Sequence, residues 1–143
     1  MASDVRSTVL VVDDEPNLVT IVARTLRSDG YLVVTATSGA EGLALGAAHD
    51  PPIDLLITDL RMPEMSGRQL SVALRNVRRG LKVVYLTGHA DELFGDLTLL
   101  EPHEAFIEKP ISPPLVREAV SLHLFGTITP PSGPAAPAGS ATR

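Results

Sequence analysis

The residues best able to do chemistry are acids and one lysine, and they fall at the ends of apolar runs. Asp13, Asp14 and Glu15 follow TVLVV at 8–12, and Asp59 follows IDLLIT at 53–58. Thr87 follows LKVVYL at 81–86, and Lys109 stands just beyond AFI at 105–107. Carboxylates gathered in one place repel, so they need a cation or one of them must keep a proton. A set of oxygen ligands with neither His nor Cys suits a hard ion such as Mg²⁺, which keeps water or phosphate oxygens among its ligands. A lysine and a hydroxyl facing such a centre complete a constellation for a phosphoryl group. Taken singly, each residue also has a plain alternative. Asp13-Asp14 fits a solvated turn before a helix whose dipole favours acids. Lys109 fits a surface charge, and Thr87 fits packing at a strand end.

Chemistry at these positions requires a scaffold that gathers distant segments. The runs at 8–12, 31–36, 53–58, 81–86 and 105–107 are short and continuously apolar, a pattern of strands covered on both faces of a parallel sheet. Helical patterns lie between them. Leu18, Ile21, Val22, Thr25 and Leu26 fall on one helix face, and Gly30 is placed to end that helix. Ser38 with Glu41 opens a second helix reaching about Ala48. Ser66 opens a third, with Leu70, Ala73, Leu74 and Val77 on one face and Gly80 at its end. Residues 91–100 form a fourth, weakened by Gly95. Ser112 and Pro113 are N-cap and first-turn proline of a fifth, with Leu115, Val116, Ala119, Val120 and Leu122 facing inward. Strand–helix alternation of this kind predicts an α/β fold with right-handed crossovers and helices on both sheet faces. Ligands then bind at the carboxyl ends of the strands, where the acids, Thr87 and Lys109 fall.

Composition narrows the classes. The chain has 143 residues, 44% apolar and 20% charged, enough for one globular core. Twelve basic against 17 acidic residues give a net charge of −5, which argues against a nucleic-acid partner. The lack of cysteine excludes disulfides and thiolate metal sites. No apolar run approaches the roughly 18 residues of a membrane helix. The first residues lack the apolar core of a secretory signal, so a cytoplasmic protein with no membrane partner is expected. From Gly126 onward the text GTITPPSGPAAPAGSATR has Arg143 as its only charged side chain. It is expected to be a disordered tail, or a linker, over 126–143, leaving a folded domain over 5–125. No DNA-binding module follows that domain, so direct DNA binding is not expected.

In this order, and each at a strand end, four segments resemble response-regulator receiver domains of two-component signalling: VVDDEP at 11–16, TDLRMPEMSG at 58–67, YLTGH at 85–89 and FIEKP at 106–110. The likeness covers residues 7–124 and is nearest to receivers that are free-standing or attached to hybrid histidine kinases. It implies a five-stranded parallel sheet of the (βα)5 flavodoxin-like, doubly wound type, with strand order 2-1-3-4-5. It also implies that Asp59 is the phosphoacceptor, attacking the phosphorus of a phosphohistidine. Mg²⁺ is the implied cofactor, held directly by Asp14, through water by Asp13, and by Asp59 and the backbone carbonyl of Arg61. Lys109 would contact a phosphoryl oxygen, aimed by a cis Lys109–Pro110 bond.

Thr87 and Phe106 match the family's switch positions. Tyrosine is common where Phe106 stands, and Phe has no hydroxyl, so its coupling rests on packing alone. Phosphorylation would bias two pre-existing states of the face formed by residues 91–100, the fifth strand and the last helix. The implied partners are a histidine kinase or histidine phosphotransfer protein, with a homodimer through that face also in keeping with the family. Arg61 and His89 would border the path of attacking water and tune the lifetime of the phosphoryl group. The chain is thus expected to be a signalling module rather than an enzyme acting on a metabolite. A Mg²⁺-dependent phosphohydrolase is a second class, but such enzymes usually place another acid where Arg61 stands. An inert receiver-like domain is a third, disfavoured by the intact set Asp13, Asp14, Asp59, Thr87 and Lys109.

Overall fold

The computed structural model describes residues 6–88 and 100–126. Each apolar run becomes a strand: β1 (Thr8–Val12), β2 (Leu32–Ala36), β3 (Leu55–Asp59), β4 (Lys82–Thr87) and β5 (Glu104–Glu108). All pairings are parallel and the order is β2-β1-β3-β4-β5, the doubly wound α/β arrangement expected. The helices are α1 (Pro16–Ser28), α2 (Gly39–Ala48), α3 (Gly67–Val77) and α4 (Pro113–Phe125). The helix expected over 91–100 lies outside the described residues except for Leu100, and the tail does so except for Gly126.

Alternation along each strand sends side chains to two cores. Val9, Val11, Ile57 and Val84 pack with Val22 and Leu26 of α1 and Val116 and Val120 of α4. Leu10, Val12, Leu56 and Val83 pack with Leu70 and Leu74 of α3. Every residue of β1 and β3 is therefore buried, which explains why these strands read as unbroken apolar runs. On α2, Gly42 and Gly46 let the helix lie close on the sheet. An added Cβ at Gly42 would fall 2.8 Å from Val12, and one at Gly46 would fall 2.9 Å from Leu74.

The expected caps are present. The Ser66 hydroxyl accepts the Gln69 N–H at 3.1 Å while the Gln69 side chain accepts the Ser66 N–H at 2.9 Å. The Ser38 hydroxyl accepts the Glu41 N–H, and Ser112 accepts the Leu115 N–H. Gly30 (φ 96°) and Gly126 (φ 75°) take the left-handed conformation beyond α1 and α4.

Several expectations shift. Residue 31 precedes its strand and Ile53 is buried ahead of β3 rather than within it. The third helix stops at Val77, with Gly80 in the turn beyond, and β5 extends to polar Glu104 and Glu108. Ile21, Val77, Leu115 and Leu122, expected inside, are exposed. They stand at the margins of their apolar stripes. Periodicity marks such a face without showing how wide a strip the sheet can cover.

Candidate functional site

The carboxyl ends of β1, β3, β4 and β5 meet at one crevice. Asp13 directly follows β1 and is 0% exposed, and Asp59 closes β3 at 7% exposed. Asp14 points to solvent beside them. One carboxylate oxygen from each of Asp13, Asp14 and Asp59 lies within 4.8 Å of the other two. The Lys109 Nζ sits 3.4 Å from Asp59 Oδ1, 3.4 Å from Asp13 Oδ2 and 4.0 Å from Glu15 Oε1. Asp13, Asp14, Asp59 and Lys109 are thus gathered in space, and exposed Glu15 joins their rim.

Backbone structure fixes this arrangement. Asp13 Oδ1 accepts the Glu15 N–H at 2.9 Å, at the entry to α1. The Arg61 N–H donates to the Asp59 carboxylate. The loop after β3 is held by the Leu60 N–H on the Leu86 carbonyl at 3.1 Å and the Gly67 N–H on the Leu60 carbonyl at 3.0 Å. Gly67 has no room for a side chain, because an added Cβ would collide with the Asp59 backbone carbonyl. The Lys109 N–H donates to the Thr87 carbonyl at 2.8 Å, and Lys109–Pro110 is cis, as the resemblance implied.

Among the described residues, three carboxylates face one ammonium. Burial pushes the Asp13 carboxyl up to about 6; the Glu15 N–H works against that shift, and the Asp59 charge adds to it. Burial also raises Asp59, offset in part by Lys109. Burial alone would lower the Lys109 ammonium, but the charges of Asp13 and Asp59 outweigh it and hold the ammonium above its usual value. Asp13 Oδ2 is buried, and among the described residues its contact is a loose ion pair with Lys109 at 3.4 Å. A buried, loosely held oxygen among three acids fits a hard divalent cation.

Thr87 ends β4 at 1% exposed, and Phe106 lies opposite Tyr85 in the β4–β5 register. Phe106 is partly buried against the α3-side core. His89 lies outside the described residues.

Sequence reading missed the neighbour of Phe106. Tyr85 is fully buried, and its hydroxyl donates to Glu104 Oε2 at 2.8 Å. Arg68 donates to the Tyr85 hydroxyl and to Glu104 Oε2, both at 3.0 Å. Burial pushes the Tyr85 phenol up to about 12. Burial would raise Glu104 too, but the Glu101 N–H, Tyr85 and Arg68 together hold it below its usual value. The only sequence signal was a polar residue at each end of a strand where apolar ones were sought.

Comparison with known proteins agrees with this geometry. The family model for the response regulator receiver domain matches residues 9–121. The chain is 38% identical over 111 residues to the transcriptional regulatory protein GlrR of Escherichia coli K12, covering 78% of this chain and 24% of that one. It is 33% identical over 106 residues to the sensor kinase CckA of Brucella abortus, covering 74% of this chain and 11% of that one. It therefore spans a quarter or less of the length of these two relatives. Among solved structures, the receiver domain of the hybrid histidine kinase CckA superimposes with a TM-score of 0.71 at 30% identity, covering 82% of this chain and 99% of that one. The chemotaxis response regulator CheY4 of Vibrio cholerae does so at 0.72 and 26% identity, covering 84% and 100%. With motifs, topology and matches in agreement, the chain belongs to the response regulator receiver domain family.

Proposed function

We propose that this receiver domain takes a phosphoryl group from a phosphohistidine onto Asp59 and so switches a protein-interaction face. The observation that carries the reading is the meeting of Asp13, Asp14 and Asp59 with Lys109 in one crevice. An Asp59 oxygen forms a bond to phosphorus as the phosphorus–nitrogen bond breaks, and the electron pair stays with the departing imidazole. Lys109 lies close enough to Asp59 to meet a phosphoryl oxygen and offset its charge. The Arg61 N–H and the packed Gly67 turn hold the Asp59 carboxylate in a fixed direction, so little reorganisation is needed.

Asp14, Asp13, Asp59 and the Arg61 carbonyl would hold Mg²⁺, with Asp13 acting through a water. When bound, the ion would supply charge neutralisation between two anionic reactants. Thr87 would then bond the phosphoryl group and Phe106 would follow by packing. The donor class is a histidine kinase or histidine phosphotransfer protein, in keeping with the likeness to kinase-attached receivers, and the setting is the cytoplasm. We read residues 126–143 as a tail outside the domain, a homodimer as compatible with the family, and DNA binding as no part of this segment.

The test is incubation with Mg²⁺ and a small-molecule phosphodonor, followed by intact-mass measurement. One stable phosphoryl group on the wild type and none on Asp59→Asn is the expected result. Multiple turnover of the donor would favour a phosphohydrolase, and no labelling would favour an inert domain. Labelling retained in Asp59→Asn would refute the site assignment.

A further inference from the structure

β2 forms one edge of the sheet. Its Leu32 N–H donates to the Ser7 carbonyl at 3.1 Å, and its Ala36 carbonyl accepts the Asp13 N–H at 3.3 Å. Peptide groups alternate sides along a strand, so Leu32, Val34 and Ala36 face β1 while Val33 and Thr35 face outward. Among the described residues, the one hydrogen bond on that outward side runs from the Arg27 guanidinium to the Val33 carbonyl at 3.0 Å. Among the described residues, the Val33 N–H and the N–H and carbonyl of Thr35 have no hydrogen-bond partner, and both residues are half-exposed.

Natural sheets usually guard such edges with charge, proline or a bulge. The segment LVVTA carries none of these in its own side chains. What cover it has is lent by α1. Two hollows flank the edge. One of about 290 Å³ lies against α1, bounded by Ala23, Arg24, Arg27 and Thr35. The other, of about 550 Å³, runs from Arg6 and Arg27 past Val34 to His49 and Asp50. Arg6, Arg24 and Arg27 therefore face the edge with Asp50 as the one carboxylate lining either hollow, a basic strip on a chain of net charge −5.

We propose that this edge docks an extended, acidic segment of another protein as a sixth strand. Backbone pairing with Val33 and Thr35 would supply affinity, and alternate side chains would reach the two hollows and supply selectivity. A carboxylate from the incoming segment takes the Arg27 guanidinium in a charge-assisted pair stronger than its bond to a neutral carbonyl. That exchange frees the Val33 carbonyl for the new ladder. The site rests on neither Asp59 nor Lys109, so it stands apart from the phosphoacceptor reading.

The experiment is a titration of isotope-labelled protein with a short synthetic peptide alternating glutamate and valine, and with its lysine-for-glutamate counterpart. Amide signals and hydrogen exchange report the contact. In the free protein, the Val33 and Thr35 amides should exchange faster than those of Leu32 and Val34. The acidic peptide should slow exchange at Val33 and Thr35, and the lysine peptide should not bind. Replacing both exposed arginines, Arg24→Ala with Arg27→Ala, should weaken binding about tenfold, a change of about 1.4 kcal/mol. Thr35→Pro removes one outward donor that an edge strand can spare, so it should abolish protection at Val33, while Thr35→Val, which keeps the N–H, should retain it. The proposal is overturned if neither peptide binds, if both bind alike, or if binding leaves Val33 and Thr35 unprotected. It is also overturned if slow exchange at these amides depends only on protein concentration, which would mark self-association.

Discussion

Two clusters of buried charge sit in neighbouring parts of this sheet and are built in opposite ways. In the cluster of Arg68, Tyr85 and Glu104, every contact is 2.8–3.0 Å and the carboxylate is held below its usual pKa. In the cluster of Asp13, Asp59 and Lys109, the closest ammonium contacts are 3.4 Å and both carboxyls are raised. The first is complete by itself and ties α3, β4 and β5 together. In the second, among the described residues, Asp13, Asp14 and Asp59 share the single ammonium of Lys109. In line with the proposed function, we read the first cluster as structural and the second as a binding site.

The comparison breaks most readily at Glu104. Glu104→Ala takes away the acceptor of the Tyr85 O–H and of an Arg68 N–H, and should cost about 3 kcal/mol in urea unfolding. Its pH signature follows from the depressed pKa of Glu104. Its stabilising contribution is complete above its unfolded value of 4.5 and is lost as pH falls through the lower folded value. Tyr85 behaves in the reverse sense. Its contribution is present below pH 10 and is lost as pH rises through about 12, so Tyr85→Phe should flatten the alkaline limb.

Gly67→Ala comes next. It drives a methyl against the Asp59 carbonyl, costs about 2 kcal/mol and should slow labelling as Asp59 is displaced. Asp13→Asn sharpens the contrast by changing sign. Without metal it removes a like charge from a crowded crevice and should stabilise the fold by about 1 kcal/mol, while labelling falls. Arg61→Ala is expected to do least. It should alter the rate of phosphoryl loss, measured from the decay of labelled protein. An unchanged decay rate removes Arg61 from the water path.

Much of this contrast was legible in the sequence, but unequally. The central strands announced themselves because β1 and β3 are covered on both faces, so burial left an unbroken apolar run. The crevice was legible because its residues follow strands directly, where an α/β sheet gathers ligand-binding groups. The satisfied cluster was not. Arg68, Tyr85 and Glu104 are isolated letters on three elements, and only the β4–β5 register and the placement of α3 bring them together. Exposed Leu115 and Leu122 were misread for a related reason. Helical spacing shows which residues share a face, whereas the width of the covered strip depends on the neighbour.

The central claim is that the acid cluster is waiting for positive charge, and Mg²⁺ titration followed by thermal unfolding tests it most directly. The midpoint should rise with Mg²⁺ in the wild type and in Glu104→Ala, and should not respond in Asp14→Asn. An equal response in all three proteins, or none in the wild type, would contradict the account.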